Sequence, residues 1–162
     1  MKLALDDFEL WRRRLMTLMF VAVGLLVAYW AAWVGDRRLV ASDHTSEYVA
    51  FEQAFPLADA WLLGAMLLAV LQLWRRRPSA LTWLLVTGGA GIYLCALDVL
   101  FDLQHGIYAK PDGGAVELAV NLLTLALGVG LLRFTRRFRS QLLGTSPELP
   151  RAAGETSVPR KA

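Results

Sequence analysis

Residues 81–103 read LTWLLVTGGAGIYLCALDVLFDL. The run is about 20 residues long and almost wholly apolar. At about 1.5 Å per residue it crosses about 30 Å of hydrocarbon as a helix. A lone strand would leave its backbone groups unpaired in lipid, so a helix is required. On that helix Leu84, Gly88, Gly91, Cys95, Asp98, Asp102 and His105 follow one another at spacings of four and three, on one stripe. Glycines on a span let a neighbouring backbone come close. Here the carboxylates continue the glycine stripe, so the face expected to pack also carries charge.

Working outward, three more runs of similar length appear: Leu15–Gly35, Phe55–Trp74 and Gly114–Phe134. Arg12, Arg13 and Arg14 precede the first as the charged region of a signal peptide would. The run has the length of a full span, however, and ends in Trp30, Trp33, Gly35 and Asp36, so it reads as retained. The expected fold is therefore all-α: an integral membrane four-helix bundle of left-handed packing. One domain is expected over 1–139, in keeping with a chain of 162 residues of which 56% are hydrophobic.

The connections are read as follows. Residues 1–14 form a polar lead with Trp11 at headgroup level. Within residues 36–54 a short helix is expected on the outer surface, with Ser46 as N-cap and Glu47, Tyr48, Phe51, Glu52 and Phe55 at helical spacing. Pro56 suits a helix first turn. Pro111-Asp112-Gly113 closes the next loop as a turn. Residues 140–162, rich in Pro, Gly, Ser and Arg without periodicity, read as a disordered cytoplasmic tail.

The net charge is +3. The basic residues sit in short clusters beside apolar runs, which fits membrane orientation and argues against a nucleic-acid partner. Lys2, Arg12–Arg14, Arg75–Arg77, Arg133, Arg136, Arg137 and Arg139 all fall on one side if the spans alternate. Arg37, Arg38 and Lys110 fall on the other. Both termini are therefore expected in the cytoplasm. Richness in Leu, Ala and Arg resembles a high-GC bacterial proteome, and the chain resembles small four-span proteins of bacterial inner membranes. The single cysteine, Cys95, excludes an intramolecular disulfide and Cys-rich metal frameworks.

Packing stripes are expected on two other spans: Thr17, Val21, Gly24, Ala28, Ala31 and Gly35 on the first, and Glu117, Asn121, Thr124, Gly128 and Leu131 on the fourth. By depth, Asp59, Asp98, Glu117 and Asn121 share a layer roughly 3–10 Å below the outer surface of the hydrocarbon. Asp102 and His105 sit just above it, with Asp102 nearest water. A charge in mid-span costs about 2.5–3.5 kcal/mol on insertion scales, so intramembrane acids are candidate functional groups.

Several chemistries fit this layer. Asp59, Asp98, Asp102 and Glu117 with His105 or His44 offer metal ligands, though no spacing motif supports a metal. Haem would need histidines within the spans, and both lie at or beyond the outer boundary. Crowded carboxylates suit proton exchange. A hydrophobic ligand with a cationic or hydroxyl group is the third candidate, with Tyr93 and Trp61 as lining. No Ser-His-Asp or Cys-His arrangement exists, and Gly88-Gly89-Ala90-Gly91 lies inside a span rather than in a phosphate loop. In architecture alone the pattern resembles the eukaryotic sterol-isomerase and sigma-2-receptor type four-helix family, from which no residue is carried over.

The sequence is thus read as a non-enzymatic membrane protein with an acidic pocket of Asp59, Asp98, Asp102, Glu117, Asn121 and His105, taking a cation, a proton or a small amphipathic ligand. The alternatives are an accessory subunit whose acids pair with a membrane partner, and a lipid-active enzyme. The bilayer, a second copy or a partner subunit are the expected partners, and no cofactor is assigned. Topology is directly testable. Reporter fusions at Ser140 and Arg77 are expected to read cytoplasmic, and those at Thr45 and Asp112 exoplasmic. A cytoplasmic signal at Thr45 would break the four-span reading.

Overall fold

The computed structural model describes residues 2–111 and 113–144. In chain order the helices are α1 (Lys2–Asp36), α2 (Ser46–Glu52), α3 (Pro56–Trp74), α4 (Ala80–His105), α5 (Gly114–Arg137) and α6 (Arg139–Leu143), with 3-10 turns at Arg37–Leu39 and Ile107–Ala109. There is no strand among the described residues. The four regions containing α1, α3, α4 and α5 are long and apolar enough to cross a membrane. The fold is all-α, a four-helix membrane bundle. One end is rich in arginine and the other in carboxylates, and the ends are named accordingly below.

The arginine end is more ordered than a polar lead and a free tail. α1 runs unbroken from Lys2. Phe8 stacks on Phe134 at 6.1 Å and meets Phe138 at 5.4 Å. Asp7 pairs with Arg137 at 2.7 Å. Arg12 is buried, bound to Glu9 at 2.7 Å and donating to the Leu73 carbonyl at 3.1 Å. It thereby shares a carbonyl of the last turn of α3 with the Arg76 N–H, which reaches the same oxygen at 3.2 Å. Arg76, at φ 53°, turns the chain out of α3 in the left-handed position usually given to glycine, and Arg77 N–H reaches back to the Gln72 carbonyl at 3.0 Å. The start of the expected tail is helical as α6, with Leu142 buried. The remainder of that tail, 145–162, lies outside the described residues.

Packing between α4 and α5 follows the stripes read from the sequence. Gly88 and Gly128 oppose each other so closely that a Cβ on either would come within 3.1 Å of the other's carbonyl oxygen. The stripe expected on α1 is turned outward instead. Thr17, Val21, Gly24, Ala28, Ala31 and Gly35 are all exposed. α1 buries Leu15, Met19 and Trp33, with Ala22, Val23, Leu26 and Trp30 partly covered. The large side chains win because they bury more area against α3 than a glycine ridge does. Gly24 and Gly91, both expected at close approaches, have nothing within 4 Å of an added Cβ.

A stability comparison checks this packing. Gly128→Ala puts a methyl within 2.7 Å of Ile92 Cγ1 and is expected to destabilise the detergent-solubilised protein by about 1–3 kcal/mol. Gly24→Ala is expected to be neutral or stabilising by a few tenths of a kcal/mol, as an open helical glycine allows. Equal losses at both positions would contradict the assignment of faces.

Candidate functional site

The carboxylate end gathers acids from four helices. α4 carries Asp98 and Asp102, α5 Glu117, α3 Asp59 and α2 Glu52. Asp98 lies about 10 Å from the end of α4, and Asn121 about 10 Å from the start of α5. The loops are drawn down over these groups. A Cβ at Gly114 would run into the carbonyls of Ile107 and Tyr108, and one at Gly113 would meet Ser42 Cα at 2.9 Å. Glycine at both positions lets the two loops lie against the start of α5.

Each acid but one is held by neutral donors. Asn121 Nδ2 donates to Asp102 at 2.9 Å and to the Tyr108 hydroxyl at 3.0 Å. That leaves the Tyr108 proton for Asp102. Burial, aided by the nearby Asp102 and Glu117 carboxylates, pushes the Tyr108 phenol up to about 12, so it stays a donor at physiological pH. Ser42 Oγ donates to Glu117 at 2.6 Å, and Tyr48 is 3.5 Å from the same oxygen. Tyr29 donates to Glu52 at 2.7 Å and Trp30 Nε1 to Asp59 at 2.9 Å. Asp98 makes no hydrogen bond among the described residues, yet Glu52, Asp59, Asp102 and Glu117 all lie within electrostatic range of it.

The expected site residues fare differently. Asp102 and Asn121 are joined directly and are both buried, at 2% exposure. Asp102 is therefore not the wettest member but among the most enclosed, because α4 continues to His105 and keeps residue 102 facing α5. Glu117 and Asp59 belong to the layer through Ser42 and Trp30 rather than through direct contact with Asn121. His105 is exposed, stacked on Phe101 at 4.0 Å, with Nδ1 2.8 Å from the Phe101 carbonyl. It stands at the rim. Tyr93 and Trp61, expected as lining, are 65% and 59% exposed on the outside of the bundle. Cys95 donates to the Asn121 carbonyl at 3.2 Å and serves packing.

Glu52 and its neighbours were not expected inside. α2 does not merely lie on the surface. It buries Tyr48 and Glu52, and its N-cap is Thr45, whose hydroxyl accepts from Tyr48 N–H, rather than Ser46. The Tyr48–Glu52 spacing of four was the available signal, since it puts an aromatic and an acid on one face. Phe51 stacks on Phe101 at 3.9 Å and fixes α2 against α4. Among the described residues no three of His, Cys, Asp and Glu converge as a metal centre requires.

The arrangement is a layer of acids that, among the described residues, has no basic side chain within it. The basic group nearest the connecting loops, Lys110, is engaged at the surface with Asp43. No family model matches the chain, and no similar curated protein or solved structure was found.

The Asp43–Lys110 pair gives a pH test. The Lys110 ammonium, with Thr45 and the His44 amide, holds the Asp43 carboxyl down at about 2 against an ordinary 3.8. A depressed carboxyl contributes stability above its unfolded value, and that contribution is lost as pH falls from about 4 through the folded value. Carbon-13 titration of the Asp43 carboxyl is expected to show a midpoint near 2. Lys110→Met is expected to move it back up towards the ordinary range. An unchanged midpoint would mean that the pair does not hold this loop.

Proposed function

We propose that the chain is a small four-span protein of a bacterial inner membrane, with both termini in the cytoplasm, whose carboxylate network takes up positive charge near the outer face. The charge is a proton or a monovalent cation. The observation that carries the reading is the isolation of Asp98: four other carboxylates lie within electrostatic range of it, and no hydrogen bond reaches it among the described residues. Five ionised acids in so small a volume would repel strongly, and the donors present are neutral groups that offset little of that charge. Charge balance favours a bound proton or cation. The scattered geometry, without three converging ligands, favours a proton or a weakly held monovalent ion over a divalent metal, which needs a tighter oxygen cage.

Asp98→Asn keeps the shape and removes the charge. It is expected to leave the fold intact and to raise thermal stability in the absence of ligand. Infrared difference spectroscopy in lipid is the direct measurement. The wild type is expected to keep at least one protonated carboxyl band near pH 7, lost on raising the pH or adding the cation and absent from Asp98→Asn. If every carboxyl titrates near the ordinary value of about 4, with no response to monovalent cations, the acids are ordinary solvated groups and the reading is wrong.

A further inference from the structure

A separate, partly open apolar pocket of about 100 Å³ lies between the four long helices. α1, α3, α4 and α5 all contribute to its wall, through residues that include Leu26, Met66, Thr87, Gly91, Thr124 and Gly128. Thr87 is about 10 Å from the start of α4 and Thr124 about 15 Å from the start of α5, so the space lies deep within the span. It is closed towards the arginine end by the cluster around Met19, Leu73 and Leu84. Towards the other end the cluster of Phe55, Leu62 and Leu94 lies between it and the acids.

Two observations mark this space as more than loose packing. The first concerns Thr87. It is 2% exposed, and its hydroxyl is the one buried side-chain oxygen or nitrogen without a partner among the described residues. A helical threonine ordinarily returns its hydroxyl to a carbonyl one turn back. Thr135 does so, 3.0 Å from the Leu131 carbonyl and 2.8 Å from that of Leu132. Thr87 does not, and a buried unpaired hydroxyl loses the hydration it has in water. The second concerns Gly91. It is buried, yet a Cβ built there meets nothing within 4 Å. A glycine on a packing stripe that touches no neighbour leaves room beside it.

We propose that this cavity binds a small membrane-dissolved molecule with an apolar body of about the size of a benzene ring and one hydrogen-bonding group, which pairs with the Thr87 hydroxyl. The space is smaller than the apolar cavity of about 150 Å³ that accepts benzene, but it is partly open at its side, so a ring can enter without being fully enclosed. Water alone is a poor occupant. A buried water makes about three hydrogen bonds, whereas Thr87 and Thr124 carry the only side-chain hydroxyls in the wall and the rest is aliphatic or glycine. The site is independent of the carboxylate network, so Asp98→Asn is expected to leave it unchanged.

The test uses the full chain in lipid nanodiscs with carbon-13 labelled threonine methyls. Benzyl alcohol is the probe and toluene its counterpart without a hydroxyl. Benzyl alcohol is expected to shift the Thr87 and Thr124 methyl signals saturably. Thr87→Val, read at Thr124, is expected to weaken benzyl alcohol about fivefold, the worth of one hydrogen bond, and to leave toluene unaffected. Gly91→Leu fills the space and is expected to abolish saturation by both probes. If Gly91→Leu does not fold, Gly91→Ala is expected to weaken both without loss of stability. Shifts that rise linearly to the solubility limit would show partition into lipid only and overturn the proposal. So would saturable binding unchanged by the Gly91 variants, or an equal effect of Thr87→Val on both probes.

Discussion

The contact on which the rest depends is the meeting of Gly88 and Gly128. Bilayer lipid is as apolar as leucine, so helices within it gain little by hiding apolar area from one another. They gain by dispersion and by polar contacts, and both require close approach. The absence of side chains at 88 and 128 brings α4 and α5 together. Further along the same two stripes the consequence is chemical. Cys95 reaches the Asn121 carbonyl, and Asp102 is brought within 2.9 Å of the Asn121 amide. A methyl at either glycine would separate the helices over the whole length on which those hydrogen bonds depend.

The polar layer is bought with neutral donors. Tyrosine hydroxyls, an indole N–H, a serine and an asparagine amide each occupy one oxygen of an acid. Hydrogen bonds of this kind fix a carboxylate in place without cancelling its charge, unlike a guanidinium or ammonium partner. The chain has arginines in plenty, but among the described residues all except Arg37 and Arg38 are held at the opposite end. Arg12, the most enclosed of them, is committed to Glu9 and to a helix-end carbonyl. The bundle is therefore electrostatically polar along its axis. The ion pairs that do form, Asp7–Arg137, Glu9–Arg12 and Asp43–Lys110, lie outside the carboxylate network itself.

How far the sequence foretold this depends on which force set each feature. Four spans were legible because length and hydropathy alone decide them. The inward faces of α4 and α5 were legible because glycine and polar groups share one stripe there, and both prefer protein to lipid. The face of α1 was not. Its glycines and alanines mark one stripe and its Met19, Leu26 and Trp33 another, and nothing local tells which of the two packs. The burial of Asp102 depended on α4 continuing to His105 and on the loops that cover that end, neither of which hydropathy decides, because Phe101 and Leu103 alternate with polar residues. Glu52 was hidden for a different reason. The Tyr48–Glu52 spacing puts the two on one face, but which way that face turns comes from the fold-back of α2 over Phe101, a long-range contact.

Charge separation along the axis has a consequence for any cation reaching the network. With the orientation proposed above, the acids face the outside and most of the arginines the cytoplasm, across the thickness of the bilayer. An approaching positive charge is drawn into the carboxylate end and repelled from the arginine end, so uptake is favoured from one side only. Beneath the acids the path is closed by Leu62, Leu94 and Phe55. The cavity below them is lined almost wholly by apolar groups, in which a bare cation would lose its hydration at great cost. On the proposed reading, the network would charge and discharge on one face rather than act as a conduit through the membrane. Traffic across the bundle would require Leu62 and Leu94 to part and the cavity to fill with water, and its aliphatic wall opposes that.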